Sequence, residues 1–149
     1  MKLSTTAAVI TGGASGLGEA TARHFAENGA QVTILDRDAE RGPQIATDIG
    51  GHFVQTDVTD EASVAAAITE AVKQMGKISA CVNCAGIAFG IKTVGRDGPH
   101  PLDAFKRTID INLVGSFNVA RLAAVEIAKN EPESDGARGV IINTASVAA

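Results

Sequence analysis

Short apolar runs alternate along the chain with stretches in which apolar residues return every three or four positions. Residues 7–11, 31–36, 51–55, 79–84 and 139–143 are rich in Val and Ile and bounded by Gly, Asn or Asp, the pattern of buried strands. Between them, Val64, Ile68, Ala71, Val72 and Met75 fall on one helical face. Phe105, Ile109, Leu113, Ser116, Phe117, Ala120, Ala124 and Ile127 mark a longer helix with Gly115 in its middle, and residues 17–28 and 38–49 supply two more. Residues 88–101 and 130–138 carry no period and read as surface loops. Strictly alternating strands and helices imply parallel strands joined by right-handed crossovers. The expected fold is α/β, a doubly wound parallel sheet (Rossmann fold) forming one domain over residues 1–149 and cut off after its fifth strand. Ligands on such sheets bind beyond the carboxyl ends of the strands, at the point where the strand order reverses.

Composition narrows the partners. Hydrophobic residues make up 45% and charged residues 20%, which suits a folded soluble protein and excludes a disordered tail. The net charge of −4, with no basic run, argues against nucleic acid and anionic membrane as partners. No stretch reaches the eighteen or so apolar residues of a membrane span, so neither a transmembrane helix nor a signal peptide is expected. Two cysteines without secretory context suggest free thiols in a reducing compartment, hence the cytoplasm. Cys81 and Cys84 match Cys-x-x-Cys, but within a strand an offset of three sends their side chains to opposite faces. Disulfide chemistry and a metal site are therefore not expected. His24, His52 and His100 share no motif, and His100 sits between two prolines in the loop over the expected substrate side.

The chemistry-bearing pattern is Thr11-Gly12-Gly13-Ala14-Ser15-Gly16-Leu17-Gly18, which follows the first strand and opens the first helix. Gly12 permits a tight turn, Gly16 lets backbone approach a pyrophosphate, and Gly18 lets the helix lie close on the sheet. The second strand ends at Asp36, where a carboxylate can accept hydrogen bonds from an adenosine ribose and repel a 2′-phosphate, favouring NAD over NADP. The competing reading makes Asp36 the cap of the next helix, and Arg37 beside it weakens the exclusion of NADP. After the fifth strand, Ser146 stands where a hydroxyl can hold the reacting oxygen of an alcohol or carbonyl.

The Thr-Gly-x-x-x-Gly-x-Gly spacing resembles that of the classical short-chain dehydrogenase/reductase family. Further landmarks follow in order: Asp57-Val58, Asn83-Cys84-Ala85-Gly86, Asn112 in Asp110-Ile111-Asn112-Leu113, and Ser146. Within the family the chain is most similar to the 17β-hydroxysteroid dehydrogenase type 10, or type II 3-hydroxyacyl-CoA dehydrogenase, group, on residues 8–18, 82–88, 130–132 and 139–149. The resemblance implies that Ser15 and Leu17 contact the cofactor, that Asp57 and Val58 hold its adenine, and that Cys84, Ala85 and Gly86 line the nicotinamide ribose. Asp57 also has a plain reading, as part of the capping turn before Glu61. Asn112 and Ser146 take catalytic roles by the same resemblance, Asn112 organising a water relay to a lysine that tunes a tyrosine. The family's Tyr-x-x-x-Lys segment is missing and the chain has no Tyr, so a fragment of a longer enzyme is expected. The implied activity is NAD-dependent interconversion of a secondary alcohol and a ketone, with a small hydroxy or keto substrate such as a 3-hydroxyacyl-CoA, in a homo-oligomer, commonly a tetramer. Two alternatives stay open: a non-catalytic dinucleotide-binding module, and a site for another adenine-containing ligand such as S-adenosylmethionine.

Overall fold

The computed structural model describes residues 2–96 and 98–145. After a short 3₁₀ turn (Leu3–Thr5), strands β1 (Ala7–Thr11), β2 (Gln31–Asp36), β3 (His52–Gln55) and β4 (Ala80–Asn83) alternate with helices α1 (Gly16–Glu27), α2 (Arg41–Asp48) and α3 (Glu61–Met75). A two-residue hairpin, β5 (Val94–Gly95) and β6 (Gly98–Pro99), lies in the stretch expected to be loop. Helix α4 (Leu102–Ile109) runs through a π-helical turn (Asp110–Gly115) into α5 (Ser116–Ile127), and β7 (Val140–Asn143) follows.

The main sheet has the order β3-β2-β1-β4-β7, and every pairing is parallel. Its direction of growth reverses between β1 and β4, so the crevice expected of a doubly wound sheet opens there. The register sets Thr11 level with Leu35 and with Asn83, and Asn83 level with Asn143. The carboxyl ends of the strands therefore share one rim.

Both faces of the sheet are covered at β1, β2 and β4, which is why those strands read as continuous apolar runs. Val9 and Leu35 pack with Val64, Ile68 and Ala71 of α3 and Val119 and Ala123 of α5. Ile10, Val32 and Ile34 pack with Ala22 of α1 and Ile45 and Ala46 of α2. Cys81 belongs to the first cluster and Cys84 rests against the second, so the two thiols do lie on opposite faces.

Three boundaries or faces differ from expectation. Helix α2 starts at Arg41 and not at residue 38, because the Asp38 carboxylate accepts the amides of Glu40 and Arg41 and holds residues 38–40 in a turn. The long helix is interrupted by its π turn, whose wider ring needs no distinctive residue. Its apolar positions also divide: Val119, Ala123 and Ile127 are buried, whereas Phe105, Ile109, Leu113 and Phe117 are exposed.

Candidate functional site

One cleft of about 410 Å³ lies at the carboxyl rim, and its wall is assembled from turns far apart in sequence. Gly12, Ser15, Gly16, Leu17 and Gly18 come from the turn between β1 and α1. Asp36 comes from the end of β2, Asp57 and Val58 from the turn after β3, and Cys84, Ala85 and Gly86 from the turn after β4. All the residues expected to bind a cofactor thus meet on one surface. Leu35, Arg37, Thr56, Ile87, Arg107 and Ile111 complete the lining, the last two reaching in from α4 and the π turn.

The glycine loop is shaped by two left-handed residues, Gly12 at φ +67° and Gly16 at φ +52°. A Cβ on Gly12 would stand 2.8 Å from the Ala85 amide nitrogen, so glycine here also lets the turn after β4 come close. A Cβ on Gly18 would run into the Gly12 carbonyl, which explains how α1 lies so near the sheet. Thr11 joins the two turns: its Oγ1 accepts the amides of Cys84 at 3.1 Å and Ala85 at 3.0 Å. Helix α1 begins without a side-chain cap, since Ser15 makes no capping bond, and its first residues Gly16, Leu17 and Gly18 line the cleft. Leu17, 68% exposed, adds an uncovered apolar surface at the same mouth.

Asp36 is held by both oxygens. Oδ2 accepts the Ala14 amide and Oδ1 the Asp38 amide, each at 3.0 Å, which anchors the carboxylate against the glycine loop. The N-cap of α2 is Glu40, with Asp38 accepting the Glu40 and Arg41 amides in the turn before it, so Asp36 is not its N-cap. Asp57 Oδ1 accepts the hydroxyl of Thr59 at 2.7 Å and its amide at 3.0 Å. These two bonds, with a smaller contribution from Arg37, hold the Asp57 carboxyl below the usual carboxylate range. Arg37 Nε lies 3.7 Å from Asp57 Oδ2, a loose and exposed pair. Capping of α3 belongs to Asp60, which accepts the Ser63 amide at 2.6 Å, so Asp57 shapes the turn without being the cap.

Asn112, in the π turn, is not part of the cleft lining but bonds the turn that follows β4. Its Oδ1 accepts the Ile87 amide at 2.9 Å and its Nδ2 donates to the Ile87 carbonyl at 2.8 Å, so one side chain clamps both polar groups of that residue. Ser146 lies outside the described residues. The strand leading towards it is tied to the same turn: the Thr144 amide donates to the Asn83 carbonyl at 3.0 Å, and the Thr144 hydroxyl reaches Cys84 Sγ at 3.5 Å. His100 is engaged within its own loop, Nδ1 lying 2.9 Å from the Pro101 carbonyl oxygen and its amide donating to Thr93.

The surface fits a dinucleotide on its own geometry. It offers an uncapped helix N-terminus, a fixed carboxylate, and the Val58 amide, which has no hydrogen-bond partner among the described residues although Val58 is buried. Sequence reasoning missed Thr11 as the tie between the two turns, and missed Arg107 and Ile111. The threonine was visible as the first residue of the glycine pattern, but the helix residues carry no local signal of reaching the rim.

A family model described as short chain dehydrogenase matches residues 6–149. The chain is 48% identical over 145 residues to 3-hydroxyacyl-CoA dehydrogenase type-2 of Drosophila melanogaster, covering 95% of this chain and 57% of that protein. Among solved structures it superposes on 3-hydroxyacyl-CoA dehydrogenase type-2 from Mycobacterium avium with a TM-score of 0.89 at 43% identity, covering 97% of this chain and 58% of that one. It also superposes on 3-ketoacyl-(acyl-carrier-protein) reductase from Brucella melitensis complexed with NADH, with a TM-score of 0.83 at 34% identity, covering 95% of this chain and 57% of that one. The chain therefore spans a little over half the length of the relatives it matches.

Proposed function

The chain belongs to the short-chain dehydrogenase family, and from that premise we propose that it forms the cofactor-binding part of an NAD-dependent oxidoreductase that interconverts a secondary alcohol and a ketone, with a 3-hydroxyacyl-CoA as substrate. The observation that carries this reading is the convergence of four separate turns on one cleft around the anchored Asp36 carboxylate. The substrate class rests on the similarity to 3-hydroxyacyl-CoA dehydrogenase type-2 proteins.

A nicotinamide dinucleotide, when bound, supplies the hydride acceptor or donor. The chain's own residues hold and orient it. The first amides of α1 bind the pyrophosphate, where the helix dipole favours negative charge. Asp36 accepts the adenosine ribose hydroxyls and repels a 2′-phosphate, which sets the preference for NAD over NADP. The Asp57 carboxylate accepts the adenine amine and the Val58 amide donates to a ring nitrogen. Backbone at Cys84, Ala85 and Gly86 would hold the nicotinamide ribose, and Asn112 fixes that turn through Ile87. Ser146 holds the reacting oxygen of the substrate, and this sequence contains no Tyr to exchange its proton. The two free thiols suit a reducing compartment and support placement in the cytoplasm. The exposed Phe105, Ile109, Leu113 and Phe117 support self-association through the α4–α5 face.

The test is NADH absorbance in the complete protein supplied with NAD and a 3-hydroxyacyl-CoA. NADH formation is expected, and Ser146→Ala should lower turnover by about 10²-fold or more while NAD affinity changes little. No NADH from 3-hydroxyacyl-CoA or from simpler secondary alcohols would overturn the reading.

A further inference from the structure

Val58 borders the cleft, but nothing in its own turn fixes its carbonyl. That oxygen is met from across the fold, where Asn118 Nδ2 of α5 donates to it at 3.0 Å in a buried setting. The Asn118 amide cannot turn over without loss, because its Oδ1 accepts Arg121 Nη2 at 2.8 Å. Arg121 is in turn paired with Glu61 Oε1, 2.8 Å away, in the first turn of α3. On the other side Val58 Cγ2 sits where a Cβ on Gly115 would come within 2.6 Å, so the π turn closes on Val58 with no room to spare. One buried residue is thus set by α3, the π turn and α5 together.

We infer that Asn118 is a positioning residue for adenine recognition, and that Arg121, held by Glu61, locks the orientation in which the Asn118 amide donates to the Val58 carbonyl. The inference rests on the cofactor reading given above. A hydrogen bond to the Val58 carbonyl fixes the tilt of the residue, and with it the aim of an amide that has no partner among the described residues. With Arg121 removed, Asn118 Oδ1 loses its partner, the side chain is free to leave the rotamer that donates to the Val58 carbonyl, and the aim is lost. The effect falls on the adenine and not on the turn after β4, which is fixed separately by Thr11 and Asn112.

The experiment is calorimetric titration of the complete protein with AMP, nicotinamide mononucleotide and NAD. It compares the unaltered protein with Asn118→Asp, which keeps the acceptor for Arg121 and loses the donor to Val58, and with Arg121→Met and Arg121→Lys. Asn118→Asp and Arg121→Met are expected to weaken AMP and NAD by about tenfold and nicotinamide mononucleotide by less than about twofold, the size of one lost hydrogen bond. Arg121→Lys should restore most of the AMP affinity, which a general loss of stability would not do. Arg121 is partly exposed, so its variants keep the test available if Asn118→Asp does not fold. Unchanged AMP affinity in the variants, or equal weakening of both half-ligands, would overturn the inference alone. Failure of the unaltered protein to bind AMP or NAD would overturn the cofactor reading and the inference with it.

Discussion

Thr33 sits in the second strand of the sheet, wholly buried, and its hydroxyl has no partner among the described residues. An unsatisfied buried hydroxyl costs about 1–3 kcal/mol, so Thr33→Val is expected to stabilise the protein by about 1 kcal/mol. Urea titration measures this directly, and a lower midpoint for the variant would contradict it. Cys81 gives a second prediction, tied to pH. Burial pushes its thiol from the ordinary 9.0 up to about 12, with a smaller contribution from Cys84. Below pH 9 folded and unfolded forms are both protonated and the contribution to stability is fully present. Between 9 and about 12 the unfolded chain releases a proton that the folded one keeps, so stability falls as pH rises. Unfolding midpoints measured at about pH 8 and about pH 10.5 should therefore drop further in the unaltered protein than in Cys81→Ala. An equal drop would show that Cys81 does not carry the effect.

Elements differ in how openly the sequence declares them. The strands were legible because Val and Ile runs such as Ala7–Thr11 end on Gly, Asn or Asp, and they fall within one residue of their expected bounds at either end. Helix α3 was legible from its apolar face, with Asp60 capping its start and the left-handed Gly76 closing it. Helix α2 was not legible at its start, since Asp38 satisfies the amides of Glu40 and Arg41 in a turn that competes with helix. The π turn was hidden because its hydrogen-bond pattern, not its composition, defines it. The period through Phe105, Ile109, Leu113 and Phe117 was real but reported a face left outside the core. Such a row, running from α4 through the π turn into α5, is the feature that supports self-association. Phe117→Glu, at a position 67% exposed, is expected to reduce the sedimenting mass of the complete protein while leaving its helical circular dichroism intact. An unchanged mass would contradict that assignment.

At the scale of the whole molecule, parallel order does most of the work. Because β1, β2, β3 and β4 all run the same way, the turns that follow them reach one rim, and the strand order reverses beside β1. Gly12 and Asp36 were legible from their spacing, Val58 and Ala85 only from the family resemblance, and the parallel order is why all four line one cleft. The support behind them was not legible. Asn118 meets Val58 across sixty positions, and Asn112 meets Ile87 across twenty-five, with no local pattern to announce either pairing. What decides the function is the cleft's choice of ligand, with Asp36 as the group that makes that choice. Calorimetric titration of the complete protein with NAD and NADP, before and after Asp36→Ala, measures it. NAD is expected to bind at least about tenfold tighter than NADP, a gap that narrows in the variant. Equal affinity for the two cofactors in the unaltered protein, or a preference untouched by Asp36→Ala, would contradict it.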